Sequence, residues 1–294
     1  MKIAIVGANG YLGRNLLHDA VAKGHQVTAY DQSNHQVDGY VNYHQIDLLD
    51  PISLSNLDFN VDAIYLMAGR TGTAEGFDNY QEFIDGNEKS LLNLLTAYRQ
   101  QNATAKIVFP STRLVYQGST ESLAEDAPKQ FKTIYAINKF ACEQYLEQFG
   151  GLFGVNFCVL RLGIPFGTVV PGASSYGTLE FMLSKAKSGS DITLYGDGFL
   201  RRTFTYVSDV TDQFLRAGMP GVCHNQIYNV GGLAYSLKEV AELIAPLYGV
   251  GVKHIAWPPL ALALESGDTV FDDTRLTKEI GNTDFTTIPE WLGG

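Results

Sequence analysis

Tyr135 and Lys139 lie four residues apart in the segment YAINK, so a helix over this segment places both side chains on one face. These residue types suit the oxidation of an alcohol, in which hydride leaves the carbon and a base removes the hydroxyl proton. A free tyrosine, with a pKa of about 10, is a poor base at neutral pH, and a nearby ammonium favours its phenolate. Lowering that pKa by about 3 units requires about 4 kcal/mol of differential stabilisation.

A third candidate is Thr112, in the segment PSTRLVYQG (110–118) that closes a predicted strand. Its hydroxyl is expected to hold the substrate oxygen beside Tyr135. The Tyr–Lys spacing alone says little, because the chain has 16 tyrosines, and a surface pair with a turn threonine is the alternative. The position after a strand end, where doubly wound folds carry their chemistry, favours the catalytic interpretation.

A glycine turn precedes these residues near the start of the chain. The stretch KIAIVGANGYLGRNLL (2–17) has the pattern of an apolar strand, a turn and an amphipathic helix. Gly7 lets the chain turn out of the strand, Gly10 lets the backbone approach a pyrophosphate, and Gly13 lets the helix pack on the sheet. Because the free N–H groups of the helix start attract phosphates, the turn predicts a dinucleotide site. A tight turn without a ligand is the alternative.

Asp31 narrows the dinucleotide to NAD. It ends a second predicted strand, QVTAY, at the distance from the glycine turn that is typical of the ribose-binding acid. A carboxylate there accepts hydrogen bonds from both adenosine ribose hydroxyls and repels a 2′-phosphate. Arg14 could favour NADP instead, but a solvated helix arginine is the preferred interpretation.

The elements that must position these residues alternate between strand and helix. Strands are predicted at 2–7, 26–30, 62–67, 105–110 and 155–160, and helices at 11–23, 78–101 and 132–149. This alternation predicts an α/β protein with a Rossmann doubly wound parallel sheet. After Gly163 the pattern changes to short strands and glycine-rich turns. We expect a Rossmann domain over 1–162, to which 203–232 return, and a smaller mixed α/β C-terminal substrate lobe from 163–202 and 233–294.

Composition narrows the function classes. The 294 residues carry a formal net charge of -10, which argues against a nucleic-acid partner. Three scattered cysteines argue against a disulfide framework, and the six histidines show no metal-binding spacing. The first residues lack the pattern of a signal peptide, and the IAWPPLALAL run (255–264) is too short and too proline-broken to span a bilayer. We expect a soluble cytoplasmic protein that binds no metal and no membrane.

The motifs together resemble the extended short-chain dehydrogenase/reductase family, in its NAD-dependent nucleotide-sugar epimerase/dehydratase branch. The segments GANGYLG (7–13), VFPSTRLVYQG (108–118), YAINK (135–139) and GDGFLRRTFTYVSDV (196–210) are similar to motifs of that family. The resemblance implies that Thr112, Tyr135 and Lys139 are catalytic, that Thr112 and Arg202 bind a nucleotide-sugar, and that two copies pair through 78–101 and 132–149. It also implies NAD contacts by Gly7, Asn9, Gly10, Tyr11, Leu12, Gly13, Asp31, Asp47, Leu48, Met67, Ala68, Gly69, Asn87, Ser111, Tyr135 and Lys139.

Two positions depart from the family pattern on the substrate side. The asparagine of LRxxNxYG is Ile164 in LRLGIPFG (160–167), and the arginine of RPGD is Glu265 in ESGD. Both changes remove expected substrate contacts. Glu265 is also expected to repel a pyrophosphate at close range.

Positions 113 and 114 decide among the reactions of the family. Dehydratases carry an Asp-Glu pair there and decarboxylases keep a glutamate, whereas this chain has Arg113 and Leu114. Simple oxidation and return of hydride remains, which predicts an NAD-dependent nucleotide-sugar epimerase acting at C4. The alternatives are an NAD(P)H-dependent keto-sugar reductase or dehydrogenase with the same three residues, and a non-catalytic NAD-binding protein. The presence of both Tyr135 and Lys139 argues against the last.

Overall fold

The apolar runs of the sequence form strands in the computed structural model, which describes residues 1–40, 42–173, 175 and 177–293. The strands are β1 (Lys2–Val6), β2 (Gln26–Asp31), β3 (Tyr43–Gln45), β4 (Ala63–Leu66), β5 (Lys106–Thr112), β6 (Phe157–Leu162), β7 (Ile164–Phe166), β8 (Ile192–Tyr195), β9 (Arg201–Tyr206), β10 (Gln226–Asn229), β11 (Leu233–Ser236) and β12 (Val252–Ile255). The five strands predicted from the sequence correspond to β1, β2, β4, β5 and β6.

Helices connect most of these strands. They are α1 (Tyr11–Ala22), α2 (Pro51–Leu54), α3 (Glu75–Asp78), α4 (Tyr80–Phe83), α5 (Ser90–Gln100), α6 (Ile134–Phe153), α7 (Thr178–Lys187), α8 (Val207–Ala217), α9 (Leu237–Ile244), α10 (Pro259–Leu264), α11 (Thr274–Ile280) and α12 (Ile288–Gly293). A π-helical segment, Ile84–Lys89, joins α4 to α5, and 3₁₀ turns span Arg113–Val115 and Ala245–Tyr248. Within the described ranges, no helix combines the length and apolar character needed to cross a membrane.

Seven of the described strands form one parallel sheet in the order β10-β6-β5-β4-β1-β2-β3. The chain runs from β1 outward to β3, then crosses back to β4 and continues to the other edge. This order confirms the predicted Rossmann doubly wound fold. Ligands of such sheets bind beyond the carboxyl ends of the strands where the order reverses, which here is between β1 and β4.

The sheet is buried on both faces because its strands alternate apolar side chains between two layers. In β1, Ala4 and Val6 point into the core beneath α5 and α6, whereas Ile3 and Ile5 point into the core beneath α1 and α8. A strand that is apolar at every position is typical of a parallel sheet covered by helices on both sides. The helices therefore fix the strand ends that carry the chemistry.

The second half of the chain builds two small sheets around a separate core. β7, β9 and β11 form one sheet and β8 and β12 the other, and α7 and α9 pack beside them. Between these elements, α8 packs against α1 and β10 joins the large sheet, whereas β9 stays in the small one. The boundaries 1–162, 163–202 and 233–294 stay a prediction for the two lobes.

The helix predicted over 78–101 is not one α-helix. It is divided into α3, α4, the π-helical segment and α5, and Asn79 breaks the α-helical backbone between α3 and α4. A π-helical turn holds one extra residue and is found frequently at functional sites. A single π-helical turn does not change the hydrophobic periodicity of the sequence in a recognisable way. The sequence therefore predicted a helix over 78–101 but not its division.

Candidate functional site

A cavity of about 370 Å³ opens at the carboxyl ends of β1, β2 and β4. Its volume lies within the range typical of small-molecule sites. The predicted cofactor residues in its lining are Gly7, Asn9, Gly10, Asp31, Asp47, Leu48, Met67, Ala68 and Gly69. Residues that sequence reasoning missed also line it, among them Gln32, Arg70, Gly86 and Ser90. Gln32 and Arg70 directly follow predicted residues, so a wider window around the motifs would have found them.

The three glycines of the turn differ in what they accommodate. A Cβ on Gly7, whose φ is 88°, would lie 2.4 Å from Ala68 N, and one on Gly13 would lie 2.1 Å from Gly7 O. The fold itself therefore requires these two glycines. A Cβ on Gly10 would meet only Gly7 O, at 3.3 Å, and would otherwise extend into open space beside the cavity. Gly10 also caps α1 without a side chain, which leaves the helix N–H groups free for a phosphate.

Asp31 is held at the same cavity by backbone donors. Its Oδ2 accepts a hydrogen bond from Asn9 N at 3.0 Å, and its Oδ1 accepts one from Ser33 N at 3.2 Å. Arg14, the residue that could have favoured a 2′-phosphate, forms an ion pair with Asp38 in which Nη2 and Oδ1 are 2.6 Å apart. A carboxylate at the cavity, together with an arginine whose charge is paired with Asp38, fits NAD.

Seven predicted cofactor residues lie outside this lining. They are Gly13, described above, Tyr135 and Lys139, described below, and Tyr11, Leu12, Asn87 and Ser111. The Tyr11 hydroxyl donates to Gly167 O at 2.8 Å, and Leu12 packs partly buried under the sheet. Asn87 lies in the π-helical segment, where its Oδ1 accepts from Arg70 N at 3.1 Å and orders the chain after Gly69. The Ser111 hydroxyl donates to the buried carboxylate of Glu143 at 2.5 Å.

Thr112, Tyr135 and Lys139 are brought together at the end of β5. Thr112 is its last residue, and the hydroxyl of Thr133 accepts from Ala136 N at 3.0 Å and so begins α6 just before Tyr135. Lys139 is buried and donates from Nζ to Pro110 O at 2.8 Å. A Cβ on Gly69 would lie 3.8 Å from Lys139 Nζ, so this group stands beside the Gly69 end of the cavity.

Burial sets the protonation of this group before any ligand binds. Desolvation raises the pKa of Tyr135 to about 12, and the Thr112 hydroxyl only partly offsets it. Desolvation lowers the pKa of Lys139 to about 8, against the opposing effect of Cys142 and Glu143. Bringing the Tyr135 phenol from a pKa of about 12 to about 7 requires about 7 kcal/mol of differential stabilisation. In the protein without a ligand, the phenol is therefore protonated at neutral pH.

A buried ion pair that the sequence analysis missed supports this group. Arg161 on β6 holds Glu143 with two hydrogen bonds, Nε to Oε1 at 2.9 Å and Nη2 to Oε2 at 2.6 Å. Glu143 lies one helical turn after Lys139 and also accepts from Ser111, which precedes Thr112. The pair thereby ties α6 to the ends of β5 and β6. A charged residue within the apolar strand FCVLRL was the available signal.

On the substrate side, Arg202 and Glu265 pair with each other. Arg202 is 1% exposed, and its Nη2 donates to Glu265 Oε1 at 2.5 Å while Nη1 donates to Gly267 O at 2.6 Å. Arg202 therefore neutralises the carboxylate that was expected to repel a pyrophosphate. Ile164 packs in the apolar core of the smaller lobe. Pyrophosphate binding by Arg202 stays a prediction. A pyrophosphate would have to compete with Glu265 and Gly267 O for the Arg202 donors.

Comparison with known proteins identifies a family model and relatives that match most of the chain. The model of the NAD dependent epimerase/dehydratase family matches residues 3–231. A UDP-N-acetyl-alpha-D-glucosaminuronate decarboxylase of Bacillus cytotoxicus is 28% identical over 84% of this chain and 80% of its own length. A UDP-glucose 4-epimerase of Mycolicibacterium smegmatis is 24% identical over 96% of this chain and 93% of its own length.

Solved structures agree with the fold. The UDP-glucose 4-epimerase of Thermus thermophilus, crystallised with NAD, superposes with a TM-score of 0.86 over 99% of this chain and 96% of its own, at 24% identity. The family match takes in the glycine turn, Thr112, Tyr135, Lys139 and Arg202, which are the residues placed above. The chain therefore belongs to the NAD dependent epimerase/dehydratase family and is an enzyme with NAD as its cofactor.

Proposed function

We propose that this enzyme interconverts nucleotide-sugars that differ in configuration at C4. The observation that carries the proposal is the meeting of Thr112, Tyr135 and Lys139 at the Gly69 end of the cavity. Bound NAD would supply the hydride acceptor and donor for the sugar carbon. The glycine turn and Asp31 would hold its pyrophosphate and adenosine ribose at the cavity.

The protein's own groups handle the proton and the sugar oxygen. The Thr112 hydroxyl would hold the reacting oxygen, and the Tyr135 oxygen would take the hydroxyl proton and later give it back. Lys139 supplies positive charge to the phenolate, because its ammonium is fixed by Pro110 O and its pKa of about 8 keeps it mostly protonated at neutral pH. This arrangement performs reversible oxidation without any further acid.

The positions after Thr112 favour epimerisation over water loss or decarboxylation. Arg113 and Leu114 form the 3₁₀ turn that begins there, and neither side chain is a carboxylic acid. Removing water from a sugar requires a general acid and a general base beside the reacting carbons. Transfer of hydride out and back needs only the single proton exchange assigned to Tyr135.

Product analysis without added cofactor tests the proposal. Purified protein should carry NAD, and a matching nucleotide-sugar should convert to a mixture of its C4 epimers, detected by chromatography and NMR. A strict need for added NADH, with net loss of its absorbance as product forms, would instead establish a keto-sugar reductase. Loss of water or carbon dioxide from the sugar would also contradict the proposal.

Gly10→Ala tests the cofactor site separately from the fold. The added methyl group has open space except for Gly7 O, so the protein should fold, yet the methyl would stand where the pyrophosphate approaches α1. We expect retention of NAD after gel filtration to be lost, with thermal unfolding changed by less than about 1 kcal/mol in free energy.

Gly151→Ala is the matched control for that variant. Gly151 lies in α6, and a methyl group added to it would have nothing within 4 Å, so this variant should keep NAD and be slightly more stable. If Gly10→Ala retains as much NAD as Gly151→Ala does, the pyrophosphate is not bound at this turn.

We also propose that two copies pair through the predicted helices 78–101 and 132–149. Support comes from apolar side chains exposed on neighbouring elements there, namely Tyr80 at 57%, Ile84 at 37% and Ile137 at 47%. Light scattering should give the mass of a dimer, and Ile137→Arg should give that of a monomer. A monomeric unaltered protein would contradict this pairing.

A further inference from the structure

Arg113 stands directly beside the residue that would hold the reacting oxygen. Thr112 ends β5 and caps the 3₁₀ turn Arg113–Val115, with its hydroxyl accepting from Leu114 N at 3.2 Å. The backbone at Arg113 is therefore fixed. Its side chain reaches the C-terminal segment, where Nη1 donates to Thr269 Oγ1 at 3.3 Å.

The guanidinium of Arg113 has few internal partners for its five donors. Its hydrogen bond to Thr269 is the only one it makes to the described part of the chain, and no described carboxylate forms an ion pair with it. Arg202, which is joined to Thr269 by a β-bridge, takes the neighbouring carboxylate of Glu265. Because Glu265 pairs with Arg202, most donors of the Arg113 guanidinium have no partner in the described part of the chain.

The Arg113 side chain is only partly exposed, so its charge is partly desolvated where it stands. Burial and the nearby Arg202 lower the pKa of Arg113 to about 9, while Glu265 acts in the opposite direction. A charge removed from water is stabilised when an ion of opposite sign binds it with good geometry. A planar guanidinium binds a carboxylate through two parallel hydrogen bonds, which matches the unused donors of Arg113.

We propose that Arg113 binds a carboxylate carried by the sugar, so that the enzyme prefers nucleotide-hexuronic acids to neutral nucleotide-hexoses. The inference rests on the proposed function, because Thr112 marks the oxygen on C4. In a hexuronic acid the carboxylate is attached to C5, next to C4, whereas the pyrophosphate is attached at C1 across the ring. The inference places the C5 carboxylate, rather than the pyrophosphate at C1, within reach of Arg113, because Arg113 directly follows Thr112 in the chain.

Binding of matched acid and neutral ligands tests this inference. The probes are UDP-glucuronate and UDP-glucose, with the corresponding pairs on thymidine and guanosine diphosphate, titrated calorimetrically into NAD-loaded protein. We expect one acid to bind at least tenfold tighter than its neutral partner, since a charged hydrogen-bonded pair contributes roughly 10- to 100-fold in affinity. Arg113→Gln should weaken binding of that acid by roughly the same factor and change the neutral ligand by less than about threefold.

Two further variants keep the test decisive. Arg113→Lys retains the charge without the planar fork and should restore part of the acid preference. Arg201→Gln removes an exposed arginine that neighbours Arg202 in sequence, and it should leave the preference unchanged. Thermal unfolding checks that each variant is folded.

Several outcomes would overturn the proposal. The first is equal affinity for acid and neutral ligands, and the second is no binding of any acid. The third is an equal loss of affinity for both ligands in Arg113→Gln, because that result would mean that the guanidinium binds the pyrophosphate. Because binding needs no turnover, acid preference without C4 interconversion would refute the proposed function alone. Interconversion without acid preference would refute the role of Arg113 alone.

Discussion

Replacing Tyr135 with phenylalanine should lower kcat by about 10²- to 10⁴-fold while NAD stays bound. The substitution removes only the oxygen that takes and returns the sugar proton. The aromatic ring remains, and the cavity lining around the glycine turn is not touched. Turnover of the matching nucleotide-sugar and the NAD content of the purified variant measure the two halves of the prediction.

Tyr145→Phe provides the matched control on the same helix. Its hydroxyl donates to Glu88 Oε2 at 2.8 Å, and the residue lies more than two turns beyond Tyr135 in α6. Loss of that hydrogen bond should cost about 1 kcal/mol of stability and leave kcat within about twofold of the unaltered protein. If both variants turn over equally fast, Tyr135 is not the base.

The fold and the cofactor side were predictable because their signals are local. The turn at Gly7 to Gly13 needs its glycines for reasons contained in a few residues, namely a φ of 88° at Gly7 and the close approach of Gly13 to Gly7 O. Asp31 and Thr112 end their strands, and strand ends in a parallel sheet meet at one edge. Sequence periodicity locates such ends without tertiary information.

The substrate side depends on contacts that no local pattern contains. Glu265 was expected to repel an anion, yet its carboxylate pairs with Arg202, 63 positions away in the chain. Arg113 entered the sequence analysis only as the absence of an acid. Its lack of an ion-pair partner in the described chain became visible once Glu265 was seen to pair with Arg202 and Thr269 to lie beside Arg113. Which charged groups become neighbours depends on how β9 aligns with the C-terminal segment, and local sequence patterns do not contain that alignment.

The buried pair of Glu143 and Arg161 gives the second large expected effect. Glu143→Gln should lower the free energy of unfolding by about 3 to 5 kcal/mol, because it leaves the guanidinium of Arg161 buried without a counter-charge. Both side chains are at most 3% exposed, so water cannot replace the carboxylate. Since Glu143 also holds Ser111 beside Thr112, kcat should fall as well. Urea unfolding and turnover measure the two effects.

A surface pair and a double variant identify the cause of that loss. Glu242→Gln makes the same chemical change in the exposed pair with Lys238 on α9, where nitrogen and oxygen are 3.7 Å apart, and should cost less than about 0.5 kcal/mol. Glu143→Leu combined with Arg161→Met removes both charges and should be more stable than Glu143→Gln, since no buried charge remains uncompensated. If the double variant is the less stable of the two, hydrogen bonds from Arg161 to Tyr116 and Glu125 O outweigh its charge. If the double variant is instead stable but has a low kcat, the main role of the ion pair is to position Ser111 and Lys139 and not to stabilise the fold.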